Sequence, residues 1–92
     1  MRKLSPSERT KYDCLTIDSK REAFKIVRNW SQTDSPDFKV HCKTLGERIG
    51  VTLQNAADIR RYFCLRRVGI LQQTAEYVPH KLAAHYKWIA DL

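Results

Sequence analysis

The strongest constraint on the fold lies in residues 44–71, TLGERIGVTLQNAADIRRYFCLRRVGIL, where helix start and stop signals follow one another closely. Thr44 and Glu47 are spaced as in a capping box, in which a hydroxyl and a carboxylate satisfy free amides at a helix start. Gly50 can adopt the left-handed conformation that ends a helix. The pattern therefore predicts a short helix that begins at Thr44 and stops before Gly50.

A turn and a second, longer helix are predicted to follow directly. Val51 fills the turn, Thr52 can cap the new helix, and Gly69 is its stop signal. At about 100° per residue, one side of this helix is apolar and should pack on the first helix. That side consists of Ala56, Ile59 and Phe63.

Residues 45–52, LGERIGVT, resemble the first helix and turn of the helix-turn-helix superfamily, and Gly69-Ile70-Leu71 resembles the strand after the recognition helix in winged-helix members. Members usually carry Ala where Gly46 stands. A glycine there allows a closer helix approach at roughly 1 kcal/mol in helix propensity. The resemblance implies a mainly α fold with a small β-hairpin, a winged helix-turn-helix with a three-helix core, a wing and a C-terminal helix.

The N-terminal segment, residues 1–18, carries a weaker signal. Ser5, Pro6 and Glu8 are the cap, first-turn proline and capping-box acid of a helix start, but little apolar periodicity follows. The segment is predicted to be either a short helix or a solvated basic arm. The winged helix-turn-helix domain is predicted to occupy residues 19–92.

A first core helix is predicted to begin at Ser19, which forms a capping-box pair with Glu22. Arg28 lies on its polar side. Residues 31–37 have a loop composition, and residues 38–43 alternate apolar with polar side chains, which is typical of a short edge strand. The apolar side of the helix consists of Ala23, Phe24, Ile26, Val27 and Trp30.

The end of the chain is predicted to form the wing and the terminal helix. Residues 72–76 make a polar turn, and Tyr77 and Val78 return as the partner strand. From Lys81 onward the apolar spacing indicates a helix. Trp88 falls off that helix's apolar side, so it is the best candidate for contact with a second copy or with other domains of a longer chain. The apolar side consists of Leu82, Tyr86 and Ile89.

The charge of the chain favours an anionic partner such as nucleic acid. Lys and Arg number 17 against 10 acidic residues, so the net charge is +7 and the pI about 9.6. Residues 38–92 hold 9 basic and 4 acidic residues, against 8 and 6 in residues 1–37. Most of the excess therefore lies with the predicted helix-turn-helix half.

Polar side chains on the outer side of the longer helix are the candidate DNA-reading groups. Gln or Asn can bond adenine and Arg can bond guanine, each pair discriminating by ~1–3 kcal/mol. Asp58 on the same side would repel phosphates. The alternative interpretation is that this side is an ordinary solvated helix face with no part in DNA binding. The candidate DNA-binding residues are Lys43, Thr52, Gln54, Asn55, Asp58, Arg61, Tyr62 and Lys81.

Other function classes find little support in the sequence. No Gly-rich phosphate loop and no recognisable catalytic set is present, so no enzyme and no cofactor are expected. Cys14, Cys42 and Cys64 are odd in number and match no zinc-ligand spacing, so they are predicted to be reduced, buried thiols in a cytoplasmic protein that holds no metal. No apolar run approaches the ~20 residues of a membrane span.

The sequence thus predicts a module that binds double-stranded DNA, either at a specific sequence or by structure. The resemblance extends to regulators and to the winged-helix modules of plasmid or phage-type replication proteins or primases. The alternative is a winged helix that binds other proteins within a larger assembly. The salt dependence of DNA binding would separate the two.

Overall fold

The computed structural model describes residues 3–33, 38–75 and 84–92. The elements in this part of the chain are helices α1 (Pro6–Asp13), α2 (Asp18–Thr33), α3 (Cys42–Ile49) and α4 (Leu53–Cys64), then strands β1 (Leu71–Ala75) and β2 (His85–Trp88). The strands form a two-stranded antiparallel sheet. The prediction of a mainly helical chain with a small antiparallel strand pair is therefore confirmed.

Side-chain caps explain where α1 and α4 begin. In α1, the Ser5 amide donates to Glu8 Oε1 at 2.9 Å and the Glu8 amide donates to Ser5 Oγ at 3.2 Å, which is a complete capping box. The segment therefore contains a helix, one of the two predicted alternatives. In α4, Thr52 Oγ1 accepts from the Asn55 amide at 3.1 Å, so the predicted cap is confirmed.

The other two helices begin earlier than predicted. Helix α2 starts at Asp18 rather than at Ser19, and it continues to Thr33, so the first part of the predicted loop is helical. Helix α3 starts at Cys42 without a side-chain cap, which makes the Thr44 cap prediction wrong. Leu45 is buried, and its amide donates a hydrogen bond to the His41 carbonyl. These two contacts hold the earlier turn in place.

The predicted edge strand over residues 38–43 is also wrong. Phe38 and Tyr86 exchange backbone hydrogen bonds of 2.9 and 2.8 Å, but they form only an isolated bridge. Cys42 already belongs to α3. Alternation of apolar and polar side chains over so few residues does not distinguish a strand from an irregular segment that precedes a helix.

A turn of residues 50–52 joins α3 to α4 and depends on two glycines. Gly50 has φ of 75° and ends α3 in the left-handed conformation, as predicted. Gly46 lies inside α3, where an added Cβ would be 2.8 Å from the Val51 carbonyl oxygen and 3.3 Å from that of Thr52. A side chain at position 46 would therefore push the turn backbone away.

The core lies where α2, α3, α4 and the sheet meet. The predicted inward residues of α4, Ala56, Ile59 and Phe63, are all buried. Helix α4 ends at Cys64 rather than at Gly69, because Leu65 is extended and the Phe63 carbonyl accepts from the Ile70 amide. The largest fully buried side chains are Phe24, Phe38, Phe63, Leu15, Leu45, Ile70, Leu71 and Val27.

The predicted C-terminal helix is absent from residues 84–92, which contain β2 instead. Strand β2 pairs with β1, with Leu71 opposite Trp88 and Gln73 opposite Tyr86. Tyr86 is buried and Lys87 is exposed, which is the alternation of a strand. The residues of the predicted wing partner, Tyr77 and Val78, lie outside the described residues.

A buried ion pair joins the N-terminal helix to the rest of the fold. Arg28 was predicted on a polar surface, but it is only 5% exposed and its Nε donates to Glu8 Oε2 at 2.7 Å. Trp88 Nε1 donates to the same oxygen at 2.9 Å, and the Trp88 ring lies 5.0 Å from that of Phe24, centroid to centroid. Trp88 is therefore partly buried against Glu8 and Phe24, and it lies on a strand rather than on the predicted helix.

Gly46→Ala is expected to destabilise the fold by about 1–3 kcal/mol, although alanine inside a helix normally gains about 1 kcal/mol over glycine. The reason is the contact of the new methyl group with the turn backbone. Gly50→Ala is the matched comparison, because a Cβ there meets nothing within 4 Å and only its left-handed backbone adds a cost, roughly 1–2 kcal/mol. Urea unfolding of both variants measures the two effects. A Gly46→Ala variant more stable than wild type would contradict the close approach.

Glu8→Gln is expected to lower the free energy of unfolding at pH 7 by about 3–5 kcal/mol, because Arg28 would remain buried without its carboxylate. Burial raises the pKa of Glu8, but hydrogen bonds from Arg28, the Ser5 amide and Trp88 outweigh it and hold this pKa below its ordinary 4.5. A lowered carboxyl pKa stabilises above about pH 4.5 and loses that contribution as the pH falls through the folded-state value.

The stability difference between wild type and Glu8→Gln should therefore stay constant near neutral pH and shrink below about pH 4.5. Urea unfolding at pH 7, 5, 4 and about 3 would measure it. Glu22→Gln is the control, because the Glu22–Lys25 pair is exposed and its loss should change stability by less than about 0.5 kcal/mol. A pH-independent difference between wild type and Glu8→Gln would contradict the role of the Glu8 charge.

Candidate nucleic-acid interface

The outer face of α4 carries the predicted reading groups. Because Ala56, Ile59 and Phe63 turn inward, the opposite side of the helix faces solvent, and all four of the predicted side chains on it are exposed. These are Gln54, Asn55, Asp58 and Arg61. Gln54, Asp58 and Arg61 form one accessible surface, and Asn55 lies at its edge.

Asp58 is the centre of a small polar network on this face. Gln54 Nε2 donates to Asp58 Oδ1 at 3.2 Å, and Arg61 Nη1 lies 3.6 Å from the same oxygen. The side chains of Arg61 and Asp58 are 68% and 55% exposed, so solvent screens their attraction. Both Gln54 and Arg61 can leave Asp58 for another partner at little cost.

The remaining predicted residues have different surroundings. Thr52 is used as the cap of α4, and Lys43 is exposed in the first turn of α3. Tyr62 is half-buried, and Lys20 Nζ lies 3.8 Å from the centroid of its ring, a cation–π contact. Lys81 lies outside the described residues.

A basic groove next to this face was not predicted from the sequence. It has a volume of about 760 Å³ and lies between the segment before α3, the C-terminal half of α4 and the sheet. Lysine, histidine and arginine side chains line it together with apolar ones, and no acidic side chain of the described residues does so. The lining residues are Lys39, Val40, His41, Arg60, Arg61, Cys64, Leu65, Gln73, Ala84 and Tyr86.

Arg60 is held at the wall of the groove, and no carboxylate of the described residues pairs with it. Its guanidinium carbon lies 5.7 Å from the centroid of the Tyr86 ring, and its Nη1 lies 3.8 Å from Cys42 Sγ. Among residues 3–33, 38–75 and 84–92, no Asp or Glu forms an ion pair with it. The positive charge of Arg60 therefore remains available to an anion in the groove.

Two other ionisable groups of the groove stay neutral at neutral pH. Burial raises the pKa of the Cys64 thiol, against an opposing effect of Arg60. Burial likewise raises the pKa of the Tyr86 hydroxyl above its ordinary value, again opposed by Arg60. Neither group adds a negative charge that would compensate the basic lining.

The sequence contained part of the signal for this groove. Lys39, His41 and Arg60 are visible in the sequence as basic residues. The third wall of the groove is the strand β2, which the sequence does not predict because the spacing of Tyr86 indicates a helix. Tyr86 on this strand lies beside Arg60 and completes the groove.

The cysteines and possible metal ligands do not form a site in the described part of the chain. Cys42 and Cys64 are half-buried free thiols, whereas Cys14 is exposed, so its predicted burial is wrong. No three His, Cys, Asp or Glu side chains in residues 3–33, 38–75 and 84–92 are grouped so that they could hold a metal ion.

None of the helices in these ranges has the length and apolar character that crossing a membrane requires.

Comparison with known proteins found no relative of this chain. No protein family model, no curated protein and no solved structure matches it. Two adjacent surfaces of this chain, the outer face of α4 and the basic groove, share Arg61.

Proposed function

We propose that this protein binds double-stranded DNA as a winged helix-turn-helix module, with the outer face of α4 in the major groove. One observation carries the proposal. Gln54, Asn55 and Arg61 are exposed together on a helix whose opposite side is buried and whose start is fixed by a short turn from α3. This is the arrangement that a recognition helix requires.

In this mechanism amide and guanidinium groups read base edges. Gln54 or Asn55 bonds adenine, and Arg61 bonds guanine in bidentate fashion. When the duplex binds, Gln54 and Arg61 give up their exposed contacts with Asp58 and contact bases instead. Lys43, which is exposed, holds a phosphate and helps to set the position of the helix, and it carries no sequence information.

A second candidate function, binding of another protein, is favoured by exposed apolar side chains. Ile17 is 50% exposed and Leu53, the first residue of α4, is 59% exposed. Ile17 also lines a shallow depression of about 350 Å³ that Val51 and Ile59 share. An apolar surface of this kind would bind a protein partner with little dependence on salt.

Duplex binding is expected to weaken steeply with salt. If about four phosphates are neutralised, the logarithm of the association constant should fall against log salt with a slope near −3.6, at ~0.9 per phosphate. Fluorescence anisotropy with random and selected duplexes at several salt concentrations measures this slope. The absence of any duplex binding at micromolar protein and low salt would favour the protein-binding alternative.

Arg61 is expected to contribute to base preference, and Asp58 is expected to weaken duplex binding. Arg61→Ala should relax the base preference at one position, whereas Lys43→Ala should weaken all sequences alike. Asp58→Asn should raise affinity roughly fivefold at low salt, because it removes a negative charge from the docking face and frees Arg61. The same titrations measure these effects, and tighter binding by wild type than by Asp58→Asn would contradict docking through this face.

A further inference from the structure

We propose that the basic groove binds an unpaired nucleotide of a DNA strand that continues beyond the duplex held by α4. The position of the duplex rests on the proposed function. The affinity of the groove for an unpaired strand does not, since it depends mainly on Arg60 and Lys39, which take no part in the proposed docking of the duplex. The protein would then recognise a junction between double-stranded and single-stranded DNA.

The charge of the groove fits a phosphodiester. Lys39, His41, Arg60 and Arg61 line it, and no acidic side chain of the described residues lies among them. Arg60 is the most suitable ligand, because its contacts with Tyr86 and Cys42 restrict its side chain, while no carboxylate in the described part of the chain pairs with its charge. A guanidinium that is already oriented loses less entropy when it binds phosphate oxygens.

The apolar part of the lining fits a base rather than further phosphates. Val40, Leu65, Ala84 and Tyr86 lie in the same groove, and Leu65 is 40% exposed there. A duplex backbone laid across the groove would leave this apolar surface in contact with water. A base turned out of the stack would cover it, as bases do on the apolar and aromatic side chains of single-strand binding proteins.

Size and polar groups also agree with a nucleotide. The volume of about 760 Å³ falls within the ~300–1,000 Å³ of sites that enclose small organic ligands. Gln73 on β1 and the protonated hydroxyl of Tyr86 add neutral hydrogen-bonding groups beside the charged ones. A nucleotide needs this combination, because it has an anionic backbone, an apolar face and a polar edge.

Arg61 connects the groove to the docking face. It lines the groove, and it also lies 3.6 Å from Asp58 on the outer face of α4. A strand that leaves a duplex on that face therefore meets the groove next. This continuity is why we infer one strand passing between the two surfaces rather than two independent ligands.

The experiment compares four labelled probes by fluorescence anisotropy at low salt with the full chain. They are a blunt duplex, the same duplex with an unpaired tail of about six thymidines in either polarity, and the thymidine strand alone. Wild type should bind one tailed duplex about tenfold more tightly than the blunt duplex. In Arg60→Gln this advantage should fall below about twofold, while affinity for the blunt duplex changes by less than about twofold.

Arg67→Gln is the matched control, since it removes the same charge from an exposed residue that does not line the groove. It should weaken all probes alike and keep the tail advantage. Lys39→Gln is a second groove variant at an exposed position, where no loss of folding is expected. Its tail advantage should also fall, and thermal unfolding followed by circular dichroism checks that each variant is folded.

The outcomes separate this proposal from the proposed function. Duplex binding without any tail advantage, or equal loss of that advantage in Arg60→Gln and Arg67→Gln, would overturn the groove proposal and leave the duplex function. Binding of the thymidine strand that depends on Arg60 and Lys39, without binding of the blunt duplex, would support the groove and overturn duplex docking.

Discussion

The carboxylate of Glu8 is the contact on which the arrangement of the described elements depends. It accepts hydrogen bonds from the Ser5 amide, from Arg28 and from Trp88, so it joins α1, α2 and β2 at one buried point. Burying a charge costs free energy unless each lone pair has a donor, and here the donors come from three elements at once. Glu8 is the buried residue of α1, and the Tyr12 ring adds an apolar contact with Phe24. Lys11 adds to this, since its Nζ donates to the Gly69 and Ile89 carbonyls at 2.7 and 3.2 Å.

The position of the groove follows from the same contact. Trp88 is fixed by Glu8 and by the ring of Phe24, and it stands opposite Leu71 in the sheet. Two residues earlier on the same side of the strand, Tyr86 is buried, pairs with Phe38 and lies beside Arg60. The buried ion pair thus orients a strand, and the strand supplies the wall against which Arg60 is held. Loss of the Glu8 charge should therefore disturb the groove as well as the stability of the fold.

Short local signals in the sequence predicted part of this structure. The cap at Thr52, the left-handed Gly50 and the buried side of α4 depend on neighbours within a few residues, and all three are confirmed. The features that failed depend on distant contacts. The spacing of Arg28 in the sequence is that of a surface residue. Its burial depends on the ion pair with Glu8, twenty positions earlier, which the local sequence does not show. Likewise, the spacing of Tyr86 and Ile89 fits a helix, and only pairing with β1 makes residues 85–88 a strand. The exposed outer face of α4 is therefore predictable from the sequence, whereas the groove beside it is not.

The two surfaces differ in how their charge is compensated, and on the proposed function this difference gives them different parts in binding. On the outer face of α4, Asp58 offsets Arg61 and engages Gln54, so the face attracts phosphates weakly until a ligand replaces these exposed contacts. In the groove no described acidic side chain offsets Arg60 or Lys39, so its attraction for a phosphodiester acts at longer range. On the proposed function, the groove and the neighbouring lysines capture the strand, and the face of α4 then selects the bases. Phosphate contacts of this kind position a protein, while base contacts specify the site. Removing Asp58 would make the two surfaces alike in charge, and the gain in affinity would come with a loss of discrimination between sequences.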